Sequence, residues 1–353
     1  MARINPEFSD KLKKYGAFDL NACYNCGNCT AVCSLSDENN AFPRKMVRLS
    51  VLGLEEEIET SLEPWLCYYC GECSTTCPRE ADPGELMMSL RRWLTSKYDW
   101  TGLSGLLYKS LTTTSIAFIT LAAAVIWFGV AEQFNLEKII HFGHYFEIIA
   151  ISAVFLLILL PNIIHMWWLT LVKPKFKVSF TAYFKTIAEL FVHMFTQKRT
   201  LGCGDNQLRW FEHFILVIGY LTLLFTTVFL NWFETSSLII IILGYVESTI
   251  IFVVTFDFVR RRIQQKTEIS KHSHPSDWFF VIWLFLMGVT AFAVRLFVDI
   301  NLIEKNIWLY LVHLTVLVQW ALIIVPFGKW THFLYRSFAM YFQKIQIKLL
   351  AAS

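Results

Sequence analysis

Two regimes of hydrophobic patterning divide this chain. Through residue 100 the apolar positions recur at short helical intervals between polar residues. Beyond residue 110 they fuse into six long apolar stretches, at about 110–130, 145–172, 211–232, 238–259, 278–298 and 307–328. Each stretch can cross a bilayer core of roughly 30 Å at about 1.5 Å per residue. In the first regime Met46, Val47, Leu49 and Leu52 share one helical face, with Pro43 suited to the first helical position and Gly53 to a stop. A further helix is predicted from Gly84 to Leu94, with Leu86, Met87, Leu90 and Trp93 on one side. The pattern therefore predicts an all-α chain: a helical head over 1–105, then a six-span transmembrane bundle over 106–353.

Between the second and third spans the period changes again. Phe176, Phe180, Tyr183, Phe184, Ile187, Leu190, Phe191 and Met194 recur at helical spacing, interleaved with Lys177, Lys185 and Lys198. This predicts a helix lying in the membrane interface, and a helix packed beneath the head would give the same pattern.

Composition and charge add an orientation. Hydrophobic residues are 55% of the chain and charged residues 17%, too apolar for an ordinary soluble protein. Residues 1–100 hold 15 acids and 11 bases, and the remainder 13 acids and 20 bases. The bases cluster at alternate span ends: Lys173, Lys175, Lys177, Lys185, Lys198, Arg199 and Arg209; Arg260, Arg261, Arg262, Lys266 and Lys271; Lys329, Arg336, Lys344 and Lys348. The opposite ends hold only Lys138 and Lys305. By the positive-inside rule the head, both long loops and the C-terminus are expected in the cytoplasm, in an inner-membrane protein. Trp210, Trp232, Trp278, Trp308 and Trp330 stand at span ends as interface anchors. With its bases at membrane edges, the chain is not expected to bind nucleic acid. Residues 1–22, with Lys11, Lys13 and Lys14, lack the apolar core of a signal sequence.

The head carries the sharpest chemistry. Cys23, Cys26, Cys29 and Cys33 form a C-x-x-C-x-x-C-x-x-x-C run, repeated by Cys67, Cys70, Cys73 and Cys77 with Pro78 after it. Three cysteines at this interval wrap a loop around one [4Fe–4S] cluster, and the fourth ligates the other cluster. The expected ligands are Cys23, Cys26, Cys29 and Cys77 for one cluster and Cys67, Cys70, Cys73 and Cys33 for the second. Two zinc sites need only paired C-x-x-C elements, leaving the extra matched cysteine in each run unexplained. Disulfides fit poorly with a cytosolic head. Cys203, between Gly202 and Gly204, is left over and reads as a structural loop thiol.

Ionisable residues within spans default to a functional reading. Two stacked b-type haems need two axial imidazoles at each of two depths. His213 and His332 make the expected inner pair, and His144 and His313 the outer pair. His165 rivals the inner ligands and His141 the outer. A single haem also fits, as do interface histidines that bond carbonyls. His313 and His332 are 19 residues apart, roughly 28 Å along a helix, with Pro326 as a source of a kink between them. His193 lies on the amphipathic segment, and His272 and His274 read as solvated loop residues. Glu147, Glu247 and Arg295 are the candidates for a quinone, a haem propionate or proton transfer, with a structural ion pair as the plain alternative.

The head resembles the small iron–sulfur subunit of heterodisulfide reductases, through the doubled cysteine run, the Pro43-Arg-Lys-Met-Val-Arg48 segment and Trp65-Leu66-Cys67. The resemblance covers about residues 15–100 and implies a helical ferredoxin fold with two [4Fe–4S] clusters. The body resembles cytochrome b subunits of heterodisulfide and nitrate reductases, through Arg209-Trp-Phe-Glu-His213, Gly219, His313 and His332. One departure stands out: nitrate reductase subunits carry a second haem histidine ten residues after the first in this span, where Leu223 stands here. The fusion is similar to the C-type membrane subunits of quinone-interacting membrane-bound oxidoreductase complexes. That implies exchange of electrons with menaquinone and soluble flavin and iron–sulfur partner subunits. It also implies a link to adenylylsulfate reductase in dissimilatory sulfur metabolism. The combined reading is a membrane electron-transfer subunit of a quinone-dependent oxidoreductase. The alternatives are the membrane anchor of a heterodisulfide reductase, and, more remotely, a transporter or scaffold with an iron–sulfur sensor head.

Overall fold

The structure, a computed structural model, describes residues 3–18, 20–38, 40–198, 201 and 207–350, with the side chains of 269 and 348–350 left out. Cys203 lies outside the described residues. All regular elements among the described residues are helical.

Eight short helices build the head: α1 (Phe8–Lys13), α2 (Asn28–Val32), α3 (Arg44–Val51), α4 (Glu55–Glu59), α5 (Glu63–Leu66), α6 (Glu72–Thr75), α7 (Pro83–Tyr98) and α8 (Leu103–Lys109). The helix predicted after Pro43 is α3, and Gly53 follows its end with φ +69°. The segment predicted from Gly84 is the longer α7, which Pro83 opens from its first turn. The boundary expected near 105 falls inside α8, and the spans begin after Ser110, whose side chain accepts from the Thr113 amide as an N-cap.

Six helices or helical segments are long and apolar enough to cross a membrane. They are α9 (Leu111–Ala131); α10 (Leu136–Val154) with α11 (Leu160–Trp167) as one continuous rod; α13 (Gln207–Leu230); α14 (Leu238–Gln264); α16 (Pro275–Asp299); and α17 (Ile307–Gln319) continued by α18 (Val325–Phe327). Between the second and third spans lies α12 (Phe180–Thr196); α15 (Glu268–Lys271) precedes α16, and α19 (Thr331–Leu350) ends the chain. Large apolar side chains face outward along the spans, including Ile119, Trp127, Ile149, Phe229 and Ile239. Such a surface is stable only in lipid. The chain is a multi-pass membrane protein.

The second and sixth spans are not regular. π-helical turns occupy Phe155–Leu159, Trp168–Val172 and Trp320–Ile324. Pro161 lacks the N–H that would bond the Leu157 carbonyl in an α-helix, and the Trp100 indole donates to that carbonyl at 2.9 Å. The sixth span does not run on to His332. At Gly328 the backbone leaves the helix, at φ −104° and ψ −160°, and a Cβ there would lie 2.7 Å from the Ile324 carbonyl oxygen. The span ends near the expected residue 328, and the roughly 28 Å of helix between His313 and His332 does not apply, because α19 is a separate helix that packs on α5 and α12.

The amphipathic segment is α12, which packs on α19 and α13. Thr186, Leu190 and His193 are buried on the side that meets α19, while Phe180, Phe184, Ile187 and Phe191 face outward. One apolar core joins the head to α11 and α19 through Trp65, Trp93, Tyr98, Met166 and Tyr335, and a second fills the bundle. The head is thus fused to the bundle by packing as well as by chain.

Within the bundle, α14 packs between α13 and α16. A Cβ at Gly288 would stand 2.9 Å from the Phe252 amide nitrogen and 3.0 Å from the Ser248 carbonyl oxygen, so this glycine sets the approach of α16 to α14. Gly288→Leu should destabilise the bundle by about 1–3 kcal/mol through overpacking, read as a lower melting midpoint in detergent. Ile239→Leu, at a residue 79% exposed, should leave the midpoint unchanged.

Candidate functional site: the thiol loops and the head–bundle junction

The two cysteine runs fold into the same loop twice. Asn25 and Tyr69 take left-handed conformations (φ +57° and +54°), as do Gly27 and Gly71 (φ +95° and +91°), which then open α2 and α6. In each loop the residue two after the first cysteine donates its amide to that sulfur, Asn25 to Cys23 and Tyr69 to Cys67, both at 3.3 Å. The Ala81 amide reaches Cys77 Sγ at 3.4 Å.

Helices α2 and α6 pack together, so each run's last cysteine approaches the other run. Burial, opposed by the Leu35 amide and reinforced by Cys67 and Cys70, pushes the Cys33 thiol up to about 11. Cys73 is raised by burial and then by Cys67, Cys70 and Cys33. Cys29 is also raised by burial, with Cys23 and Cys26 as the neighbouring thiols that add to it. At the other crossover, the Arg79 guanidinium stacks 4.2 Å from the ring centroid of Tyr24, bringing the chain after Cys77 onto the first run. Converging thiols with N–H···S bonds fit iron–sulfur ligation, in which iron displaces the thiol protons.

The duplicated loops have different surroundings. Cys26 is exposed and Tyr24 is 71% exposed, whereas Cys67 and Cys73 are buried. The second loop faces the bundle, held there by two adjacent arginines of α7. Arg91 donates to the carbonyls of Pro64 (2.6 Å), Trp65 (3.3 Å) and Cys67, and its Nη1 lies 3.3 and 3.2 Å from the two ring nitrogens of His332. A nitrogen nearly equidistant from both cannot follow either in-plane lone pair, because in the ring plane it would overlap Cε1. Arg91 therefore covers the face of the His332 ring. Burial brings the Arg91 guanidinium down to about 9, against the pull of Cys67.

Arg92 makes the second bridge. It bonds Glu85 at 2.9 Å, Asp277 of α16 at 3.0 Å and the Tyr15 carbonyl at 2.8 Å. Lys329 closes the chain on Asp277 at 2.7 Å. Tyr69 donates to Glu85 at 2.7 Å, and burial followed by the Glu85 charge holds it as a phenol. Arg209, one turn before His213, donates to the Tyr69 carbonyl at 3.2 Å. An unbroken chain of side chains thus runs from the second thiol loop to the ends of α16 and α18.

The histidines divide accordingly. His332 and His213 lie within Coulombic reach of each other and of Lys329 and Arg336; Arg91 adds to the His332 side, Arg209 and Arg262 to the His213 side. His213 is exposed and stands 5.4 Å from the Phe258 ring among these cations. Two imidazoles among several cations suit a haem with its two propionates. His165 Nδ1 lies 3.2 Å from the Tyr98 carbonyl, a contact between α11 and the head.

On the far side the histidines have the following surroundings. His313 is buried with Nδ1 2.8 Å from Thr290 Oγ1, whose own proton goes to the Leu286 carbonyl at 2.7 Å. His313 therefore donates through Nδ1 and keeps its Nε2 lone pair. Its ring neighbours are Phe233 and Tyr310. His144 and His141 stack instead with Tyr145. Among the described residues no ring contact or hydrogen bond joins either to His313.

The three quinone candidates are apart from one another. Arg295 is a clamp, bonded to the carbonyls of Trp232 and Thr235 and to Asp299. Glu147 is buried near Tyr310, and Glu247 sits against Thr226 across α13. His272 and His274 are half-buried rather than fully solvated. His274 caps α16 and meets Tyr108, and His272 packs on Phe18 and lies with Asp82 and Glu268 in a group able to hold a metal ion. There Lys271 already pairs Glu268 at 2.6 Å. Sequence reasoning missed Arg91, Arg92 and Asp277. The signal available was a pair of arginines inside the apolar spacing of α7.

Residues 19–81 match the family model for a 4Fe-4S dicluster domain. The same region is similar to a protein of Archaeoglobus profundus that is itself like the C-type subunit of heterodisulfide reductase. The two are 33% identical over 96 residues, which are 27% of this chain and 51% of that one. It is also similar to the C-type subunit of the H(2):CoB-CoM heterodisulfide,ferredoxin reductase of Methanothermobacter thermautotrophicus, 35% identical over 77 residues, 22% and 42% of the two chains. The C-type iron–sulfur subunit of the CoB--CoM heterodisulfide reductase of Methanopyrus kandleri is 32% identical over 84 residues, 22% and 44%. The chain thus spans about half the length of the curated relatives it matches. No solved structure matches it. The head is an iron–sulfur domain like the C-type subunits of heterodisulfide reductases, joined here to six apolar helices.

Arg91→Met should leave buried carbonyls of the second loop without a donor, at about 1–3 kcal/mol for each one left unpaired. Hydrogen exchange in detergent should then rise in α5, α7 and α19 together. Arg91→Lys should not restore protection, because an ammonium cannot serve the loop carbonyls and the His332 face at once.

Proposed function

We propose that this chain is the membrane electron-transfer subunit of an oxidoreductase complex. It connects menaquinone to soluble flavin and iron–sulfur partner subunits, with the head and C-terminus on the cytoplasmic side of the inner membrane. The observation that carries this reading is the Arg91 bridge, which locks the second thiol loop onto His332 beside His213.

Cys23, Cys26, Cys29 and Cys77 would hold one [4Fe–4S] cluster, and Cys67, Cys70, Cys73 and Cys33 the other. His213 and His332 would be the axial ligands of one haem b. These groups, when bound, supply single-electron chemistry that no side chain here can supply. The chain's own residues set the conditions. Amides of Asn25, Tyr69 and Ala81 on the sulfurs favour the more negative, reduced state. Burial of Cys67 and Cys73 opposes that state, and Arg91 and Arg336, within Coulombic reach of Cys67, offset the burial. Exposed Cys26 and Tyr24 leave the first loop open to a partner.

A link to adenylylsulfate reductase in dissimilatory sulfur metabolism follows from the resemblance of the fused modules. A second reading, the membrane anchor of a heterodisulfide reductase, is favoured by the relatives of the head, which are C-type subunits of such enzymes. Which lipid-soluble carrier reduces the purified chain separates the two.

Cys33→Ser should alter the electron paramagnetic resonance signal of one cluster and Cys77→Ser that of the other. Loss of a single shared signal in both would remove the crossed ligation. The wild-type chain should give a pyridine haemochrome spectrum of haem b, lost in His213→Ala and in His332→Ala and retained in His313→Ala and His144→Ala. Retention of haem in His213→Ala would overturn the axial assignment.

A further inference from the structure

A cavity of about 190 Å³ lies where the head meets the bundle, and none of Glu147, Glu247 or Arg295 lines it. Its apolar walls include Phe118 of α9, Phe279 of α16, Ile323 of the π turn, and Phe327 of α18; its polar lining includes His274 and Lys329, with Lys14 and Lys109 also on its wall. We propose that this cavity binds the ring of a lipid-soluble quinone, with the isoprenoid tail in the bilayer. The inference rests on the reading of the chain as a quinone-linked electron-transfer subunit, and it assigns the place.

The depth comes first. The walls are the head-side ends of three spans, so the cavity sits at the level of the bilayer surface, where a quinone ring attached to a buried tail can reach. Leu111, on its rim, is 56% exposed and faces the bilayer side. The volume is below the roughly 300–1,000 Å³ that encloses a whole drug-sized ligand, which suits one ring system with the tail outside. Phe118 and Phe279 stack within it, their planes 11° apart at 5.0 Å, and offer flat aromatic surface to a planar ring.

The chemistry at the polar end is specific. His274 Nδ1 accepts the Ser276 amide at 3.2 Å, so the ring hydrogen is on Nε2. Burial, followed by the nearby Arg92 charge, brings His274 down to about 4 and keeps it neutral. It can therefore donate a hydrogen bond to a quinone carbonyl without carrying charge. Lys329 joins this cavity to a smaller one that reaches Arg91, Trp65 and His332, and through Asp277 and Arg92 to Glu85 and Tyr69 of the second loop. The ring would thus lie beside the proposed haem ligand and near the second thiol loop.

The redox balance is complete. Oxidation of a quinol here breaks two O–H bonds and leaves the quinone. Two protons pass to water at the head-side surface, and two electrons leave singly for the one-electron cofactors proposed above. Reduction of a quinone reverses each item.

The test is binding of a hydroxyquinoline N-oxide, a quinol analogue, to the purified full chain in detergent, followed by quenching of tryptophan fluorescence. His274→Asn keeps an N-cap acceptor but is too short to offer the Nε2 donor, and should weaken binding about three- to tenfold. Phe118→Trp should fill the cavity and weaken binding about tenfold or more. Retention of the iron–sulfur absorbance in both variants checks folding. Equal binding by wild type and both variants would overturn the site while leaving the electron-transfer reading standing. Failure of the wild type to bind the analogue would remove the quinone from both. Unchanged analogue binding together with loss of a co-purified anionic phospholipid, seen by native mass spectrometry, would make the cavity a lipid site and overturn the proposal.

Discussion

Two adjacent buried guanidiniums hold this protein in one arrangement. A buried charge without partners is strongly destabilising, and Arg91 and Arg92 each divide their partners between the head and the bundle. Arg91 needs the carbonyls of α5 and the second thiol loop on one side and the His332 ring on the other. Arg92 needs Glu85 of the head and Asp277 of the fifth span. Both sets of partners are therefore complete when the head is seated on the bundle in this orientation. Apolar contacts among Trp65, Tyr98 and Tyr335 then add non-directional stabilisation to a geometry that the charges have already chosen.

That seating breaks the symmetry of the duplicated cysteine run. The two loops share dihedral angles and N–H···S bonds, yet one is sealed against the bundle and the other is open. A duplicated sequence with unlike surroundings can hold two like groups at different potentials, since burial and nearby charge act on each separately. The polarity of the proposed wire is therefore a property of the junction rather than of the cysteine motifs.

Much of this was legible in the sequence, for identifiable reasons. The spans declared themselves by length and hydropathy, and α3 and α7 by period, proline and glycine. The thiol loops were legible because ligand spacing is a local property. The junction was not, because it depends on side chains far apart in the chain: Arg92 and Asp277 are separated by 185 positions, Arg91 and His332 by 241. The neighbours of buried or interfacial rings were likewise beyond the sequence: Thr290 meets His313 and Tyr145 meets His144. The same limit applies to Arg295, which bonds the connecting loop between α13 and α14. His274 read as solvated because it sits in a polar loop, and the approach of Gly16 and Tyr108 from the head half-buries it.

The central claim is that the second thiol loop is the one sealed at the membrane and the first is the one that faces water. A water-soluble paramagnetic chelate added to the reduced full chain tests it most directly. Its effect on the electron spin relaxation of each cluster can be compared, with the signals assigned by Cys33→Ser and Cys77→Ser. The account predicts marked enhancement for the cluster sensitive to Cys77→Ser and little for the cluster sensitive to Cys33→Ser. Equal enhancement of both, or the reverse order, would contradict it.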